Sequence, residues 1–249
     1  MTVVAIVPAR GGSKSIPMKN LQKVGGKTLV QRTIEHAHGS KHISRIIVTS
    51  DSAEILLHAK DCGAEPLLRP FELATDTAAG DDVIIHALES IGCTANEARD
   101  HLTLFLQPTS PLRPPWLIDE CIEWLVSDHN ADCLFTVNEG HFSWRRAAGG
   151  GAVPAAGSIA SRAPRQSIPA EDRLYHENGC VYVTRTGALL RARNRVCGRI
   201  ILKTMEDENA IDIDTPYHLW LANARAQFLA EHEEAQRYVV GEHGLVATS

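Results

Sequence analysis

The feature that most constrains this chain is the alternation of short apolar runs with stretches of helical period. Residues 2–7, 45–49 and 102–106 are rich in Val, Ile and Leu, and a polar or proline-containing loop closes each of them, as expected for buried strands. Between them, residues 27–38 repeat Val30, Ile34 and Ala37 on one helical face, and residues 52–59 open with polar side chains. Residues 81–91 bring Val83, Ile84, Ala87, Leu88 and Ile91 together. Pro114 and Pro115 introduce a further helix carrying Leu117, Ile118, Cys121, Ile122 and Leu125, and residues 132–137 follow as a strand. Residues 65–69 read as a weaker strand, confined by Pro66 to an edge or a strand start. This alternation predicts an α/β fold with a largely parallel sheet. An apolar fraction of 44% over 249 residues is enough for a full core, and the whole of 1–249 reads as one domain.

In such sheets ligands bind beyond the carboxyl ends of the strands, which directs attention to the loops starting at Pro8, Ser50 and Gln107. The first of these, Pro8-Ala9-Arg10-Gly11-Gly12-Ser13-Lys14-Ser15-Ile16-Pro17-Met18-Lys19-Asn20, sets three cations around a glycine pair. Glycines let backbone N–H groups approach an anion closely, so the loop suits a triphosphate cradle; a solvated basic turn is the plainer alternative. Gly25-Gly26-Lys27-Thr28 resembles the end of a Walker A motif, but that motif needs a glycine five positions before Gly26, where Leu21 stands. A P-loop is excluded.

A net charge of −5 argues against a nucleic-acid backbone as the main partner, so the basic loop would act locally on a small anion. Six scattered cysteines without C-x-x-C spacing read as free thiols rather than a zinc or disulfide framework. No leader-like or membrane-length apolar run is present, and a soluble cytoplasmic protein is expected.

The α/β pattern breaks at Asn138. Residues 138–178 are rich in Gly, Ala, Arg and Pro and read as an irregular arm or lid. Strand signals resume at 179–183 and 199–202. Ile211-Asp212-Ile213-Asp214 then reads as a strand with two carboxylates on one face, suited to a cation that also meets phosphate oxygens. Asp214 doubles as a helix cap ahead of Pro216, with Asp212 the better ligand. Residues 73–77 read as a helix N-cap region. The turn 107–113 is a substrate-contact candidate, and the twelve histidines show no ligand spacing.

Taken together, PARGGSKSIPMKN, RPFELATDTA, LQPTSPLR, PRQSIP, ENGCVYV and IDIDTP resemble the acylneuraminate cytidylyltransferase family, in the family's order from Val4 to about Phe228. The resemblance implies a Rossmann-like, three-layer nucleotide-diphospho-sugar transferase fold with a dimerisation arm. It also implies transfer of CMP from CTP to a 2-keto-3-deoxy sugar acid. On that basis Arg10, Lys14 and Lys19 would hold the phosphates, helped by Ala9, Gly11, Gly12, Ser13 and Asn20. Lys14 and Lys19 would stabilise charge at the α-phosphate and the leaving pyrophosphate. Arg69 and Thr77 would lie near the nucleotide, and Asp212 and Asp214 would bind Mg²⁺, with Mn²⁺ as a substitute. One of these aspartates would help deprotonate the attacking hydroxyl. Gln107 and Tyr182 would line the sugar pocket, and Arg165 would reach the partner subunit's sugar carboxylate in a homodimer. Arg145 and Arg146 lie near another basic position of the family.

Two departures stand out. Ala79-Gly80 replace serines that often follow the DTA segment, and Arg195-Val196 stand near where sialic acid enzymes carry an aromatic pair. They leave open a related nonulosonic acid, or another anionic acceptor such as a Kdo-like acid or a phosphonate. A non-catalytic nucleotide-binding protein is the remaining alternative. CMP-Kdo synthetases carry a glycine-aspartate pair where Pro108-Thr109 stand here, which ranks that cousin lower.

Overall fold

The computed structural model describes residues 1–95, 98, 101–140, 143–155, 164–169 and 172–232. In chain order, β1 (Val3–Pro8) is followed by a short hairpin of β2 (Lys23–Val24) and β3 (Lys27–Thr28), then α1 (Leu29–His38). Next come β4 (Arg45–Ser50), α2 (Ala53–Asp61), β5 (Glu65–Leu68), α3 (Gly80–Ser90), β6 (Leu102–Phe105) and α4 (Leu117–Ser127). The second half holds β7 (Cys133–Gly140), the hairpin β8 (Trp144–Arg146) and β9 (Ala152–Pro154), and β10 (Leu174–Arg185). It closes with α5 (Thr186–Ala192), β11 (Ile200–Thr204) and α6 (Pro216–Glu231).

The seven-stranded sheet has the order β11-β7-β10-β6-β1-β4-β5. β1 runs parallel to both β4 and β6, β4 parallel to β5, and β11 parallel to β7; β10 runs against both β6 and β7. Val3, Ala5 and Val7 face α1, α2 and α4, while Val4 and Ile6 face α3 and α5, giving helix, sheet and helix layers. Pro66 lies in β5 at the sheet edge, where its missing N–H costs no ladder bond. A third apolar cluster of Ile16, Val24, Leu29, Leu112, Ile213 and Ala222 fastens α6 over the opening loop.

The structure shifts several expected boundaries. Residues 27–28 form β3 instead of a helix start, and the Thr28 hydroxyl accepts from Gln31 N–H as the cap of α1. The irregular stretch is shorter than 138–178, because β7 runs to Gly140 and β10 starts at Leu174, their polar ends pairing with each other. Residues 211–214 form no strand. They are held instead by Ile213, whose side chain is buried and whose N–H donates to Thr109 O at 2.8 Å. The cap of α6 is Thr215, not Asp214. Among the described residues no helix is long and apolar enough to cross a membrane. None of the six cysteines forms a disulfide, and Cys121, Cys133 and Cys180 are buried.

Candidate functional site

At the carboxyl end of β1 the chain leaves the sheet at Ala9, whose N–H still reaches Thr49 O at 3.0 Å. Arg10 and Lys14 then converge on one carboxylate: Asp76 sits 2.8 Å from the Arg10 guanidinium and 2.5 Å from the Lys14 ammonium. Hydrogen bonds from Lys14 and then Arg10 hold this carboxyl below the usual carboxylate range. Gly11 N–H is committed to Asp51 Oδ1 at 2.8 Å, and a side chain at Gly11 would press on Ser52. A side chain at Gly12 would meet only open space, and Ser13 N–H closes the turn on Gly11 O. Met18 takes the left-handed backbone (φ 47°), sparsely allowed for a non-glycine residue, and starts the 3₁₀ turn Lys19–Leu21.

That turn aims Lys19 across the site. Its ammonium donates to Ile213 O at 2.8 Å and to Asp214 Oδ1 at 3.1 Å, joining the first loop to the segment before α6. Asn20 is buried and donates to Arg10 O at 2.9 Å, fixing the loop from beneath. The two aspartates sit in opposite environments despite their spacing. Asp214 is exposed, with its N–H donated to His218 Nδ1, while Asp212 Oδ1 is buried without a hydrogen-bond partner. Burial first, and Asp214 second, raise the Asp212 carboxyl above the ordinary value, with Thr109 and Lys19 pulling the other way. An orphaned carboxylate oxygen beside a second carboxylate suits a hard divalent cation that completes its shell with phosphate oxygens and water. Among the described residues no cluster of three or more His, Cys, Asp or Glu could hold a metal without such help.

Arg69 is brought to the same end but buried. It donates to Thr49 O at 2.8 Å and reaches Leu73 O at 3.5 Å, tying β4 to the turn Phe71–Leu73. Thr77 is exposed beside Thr75.

The other end of the site is built on β6 and β10. A bulge between Glu177 and Tyr182 sets Gly179 at φ +70°, where a Cβ would collide with Gln107 Oε1, so the glycine seats the glutamine. Asn178 holds the bulge by accepting from Thr136 Oγ1 at 2.7 Å and from Cys180 N–H at 3.1 Å. Arg113, almost wholly buried, donates to Gln107 O and Cys180 O and links them to Thr33 on α1. The Tyr182 ring packs between Phe105 and Phe135, and its hydroxyl donates to Glu177 at 2.7 Å. Arg165 opens the 3₁₀ turn Arg165–Ser167, and its side chain lies outside the described residues. Arg145 and Arg146 lie exposed on β8.

Asp76, Asp51 and Asn178 join the candidate site without having been singled out in the sequence, and Arg113 was included only as the end of the 107–113 turn. Asp76 lies inside a matching block, and its acidic charge among polar turn residues was the available signal. Asp51, Arg113 and Asn178 act only through contacts made by the fold.

The sequence model described as cytidylyltransferase matches residues 4–142. N-acylneuraminate cytidylyltransferase of Escherichia coli O18:K1:H7 is 31% identical over 85% of this chain and 49% of its own length. CMP-N,N'-diacetyllegionaminic acid synthase of Legionella pneumophila is 30% identical over 87% of this chain and 92% of its own. The chain thus spans about half the length of some curated relatives and nearly all of another. A solved CMP:2-keto-3-deoxy-manno-octonic acid synthetase complexed with CTP shares the fold, with a TM-score of 0.64, 16% identity, and coverage of 93% of this chain and 100% of that one. A 4-diphosphocytidyl-2C-methyl-D-erythritol synthase from Anaerococcus prevotii does so with a TM-score of 0.63, 14% identity, and coverage of 91% and 98%. The chain belongs to the cytidylyltransferase family.

Proposed function

We propose that the protein transfers CMP from CTP to the anomeric hydroxyl of a 2-keto-3-deoxy sugar acid of the nonulosonic, sialic-like type and releases pyrophosphate. The observation that carries this is Lys19, which brings the basic loop of β1 and the Asp212–Asp214 segment to one strand-end site. In the reaction the hydroxyl oxygen attacks the α-phosphorus, the bond from that phosphorus to the β-bridging oxygen breaks, and the hydroxyl proton is lost to a base. Arg10 and Lys14 neutralise the phosphates once Asp76 releases them, and Lys19 offsets charge on the leaving pyrophosphate. Asp212 is the candidate base. Gln107, fixed by Gly179 and Arg113, orients the acceptor acid.

Asp212 and Asp214 would hold Mg²⁺, which when bound would neutralise charge on the phosphate oxygens. We further propose a cytoplasmic homodimer, the partner subunit contributing from the arm that contains Arg165; six cysteines outside any disulfide fit a reducing compartment. The test is pyrophosphate release from CTP and Mg²⁺ with a panel of 2-keto-3-deoxy acids. Acid-dependent release is expected. Absence of release with every acid and divalent metal would instead favour a nucleotide-binding protein without turnover.

A further inference from the structure

Gly80 and Arg195 meet in the fold. A Cβ at position 80 would lie 3.3 Å from Arg195 Nη1, so the missing side chain makes room for the guanidinium. The backbone at Gly80 is helical, and nothing else there demands glycine. The neighbouring Asp81 carboxylate accepts from both the N–H and Nη1 of Arg195, at 3.1 and 2.8 Å. The guanidinium lies 4.8 Å from the ring centroids of both Phe105 and Tyr182. The Tyr182 hydroxyl donates in turn to Glu177 at 2.7 Å. Phe105 closes β6 just before Gln107, so this polar chain forms a wall at the acceptor end.

That wall is charged but nearly balanced. Nη1 is held by Asp81, Nε is sealed without an acceptor, and the side chain keeps 19% exposure. Asp81 and Glu177 offset the guanidinium charge, which disfavours a second anionic group; Nη2, bonded to no acceptor among the described residues and not sealed like Nε, is left to donate to a neutral oxygen. We propose that Arg195 is a specificity-determining residue of the acceptor end, admitted by Gly80. The acceptor is then a sugar acid that presents a hydroxyl or acyl-carbonyl oxygen at this wall, where an apolar substituent would leave the donors unmatched. The inference rests on reading this end as the acceptor pocket.

The test compares two acids that differ only in one such oxygen, an N-acyl sugar acid and its deoxy analogue, with wild type, Arg195→Met, Arg195→Lys and Gly80→Ala. Arg195→Met is expected to raise KM for the acylated acid about tenfold or more. KM for the deoxy acid and for CTP should stay unchanged. Arg195→Lys should recover part of the discrimination, and Gly80→Ala, which crowds the guanidinium, should lose part of it with Arg195 still present. Equal losses for both acids, or a matching rise in KM for CTP, would overturn the role and leave Arg195 as packing. If wild type turns over neither acid, the transfer reading fails by itself. Calorimetric binding of the two acids then decides: separation by wild type but not by Arg195→Met supports the role, and equal wild-type affinities overturn it.

Discussion

The two ends of the site hold their cations in opposite ways. At the proposed nucleotide end Lys14 is 82% exposed and shares with Arg10 a solvent-facing carboxylate, Asp76, that a triphosphate would displace. At the acceptor end Arg195 is 19% exposed and fixed by two rings and Asp81, a geometry that can select among substituents without rearranging. An exposed ion pair is weak and screened, so exchanging Asp76 for phosphates costs little. A packed guanidinium is preorganised and costly to move. On the proposed reading, charge is loosely held where the triphosphate would bind and tightly held where the acceptor's neutral groups would be selected.

The largest effect should come from the residue that joins the first loop to the aspartates. Lys19→Ala is expected to lower turnover about 10²-fold or more while shifting thermal stability only slightly, read by steady-state rates and melting together. An unchanged rate would detach the aspartate segment from the chemistry. Next is Gly179→Ala, which costs about 1–2 kcal/mol for the left-handed backbone and also displaces Gln107. Its KM for the acid should rise with KM for CTP constant; equal changes in both would mean the bulge supports the whole site.

A smaller, opposite effect is expected at the nucleotide end. Asp76→Asn frees Arg10 and Lys14, so CTP should bind about two- to fivefold more tightly at low salt, with the gain fading as salt rises. Weaker binding would make Asp76 a nucleotide ligand instead of a competitor. A separate effect, on stability and not on turnover, lies outside both ends. Burial first, then Arg113, Arg32 and Lys27, push the His36 ring down to about 3 from 6.5. Protonation therefore favours the unfolded chain. The stabilisation is complete above about pH 6.5 and is lost as the pH falls toward 3, by at most about 1.4 kcal/mol per pH unit. Denaturant titrations from pH 7 to pH 4 should show this slope, and His36→Gln should flatten it.

The sequence exposed these two ends unequally. Arg10, Gly11, Gly12, Lys14 and Asn20 lie within one loop after an apolar strand, so periodicity and local chemistry were enough to put them forward as candidates, and the fold brings Arg10 and Lys14 together on Asp76. The pairing of Asp76 with Arg10, and of Arg195 with Gly80 and Asp81, depends on which strand ends the sheet brings together. No local pattern carries that information. The polar ends of β7 and β10 looked irregular because their pairing partners, not their own composition, make them strands. Asp212 and Asp214 have neither the strand nor the likeness expected of them, since Ile213 inserts into the third apolar cluster and leaves one carboxylate buried and one exposed.

The most direct test of cytidylyl transfer follows the phosphorus. With CTP labelled at the α-phosphate and an acylated 2-keto-3-deoxy acid, the label should move into a sugar nucleotide while the β- and γ-phosphates leave together as pyrophosphate. Label appearing in free CMP or CDP, or remaining in CTP when acid, enzyme and Mg²⁺ are all present, would contradict it.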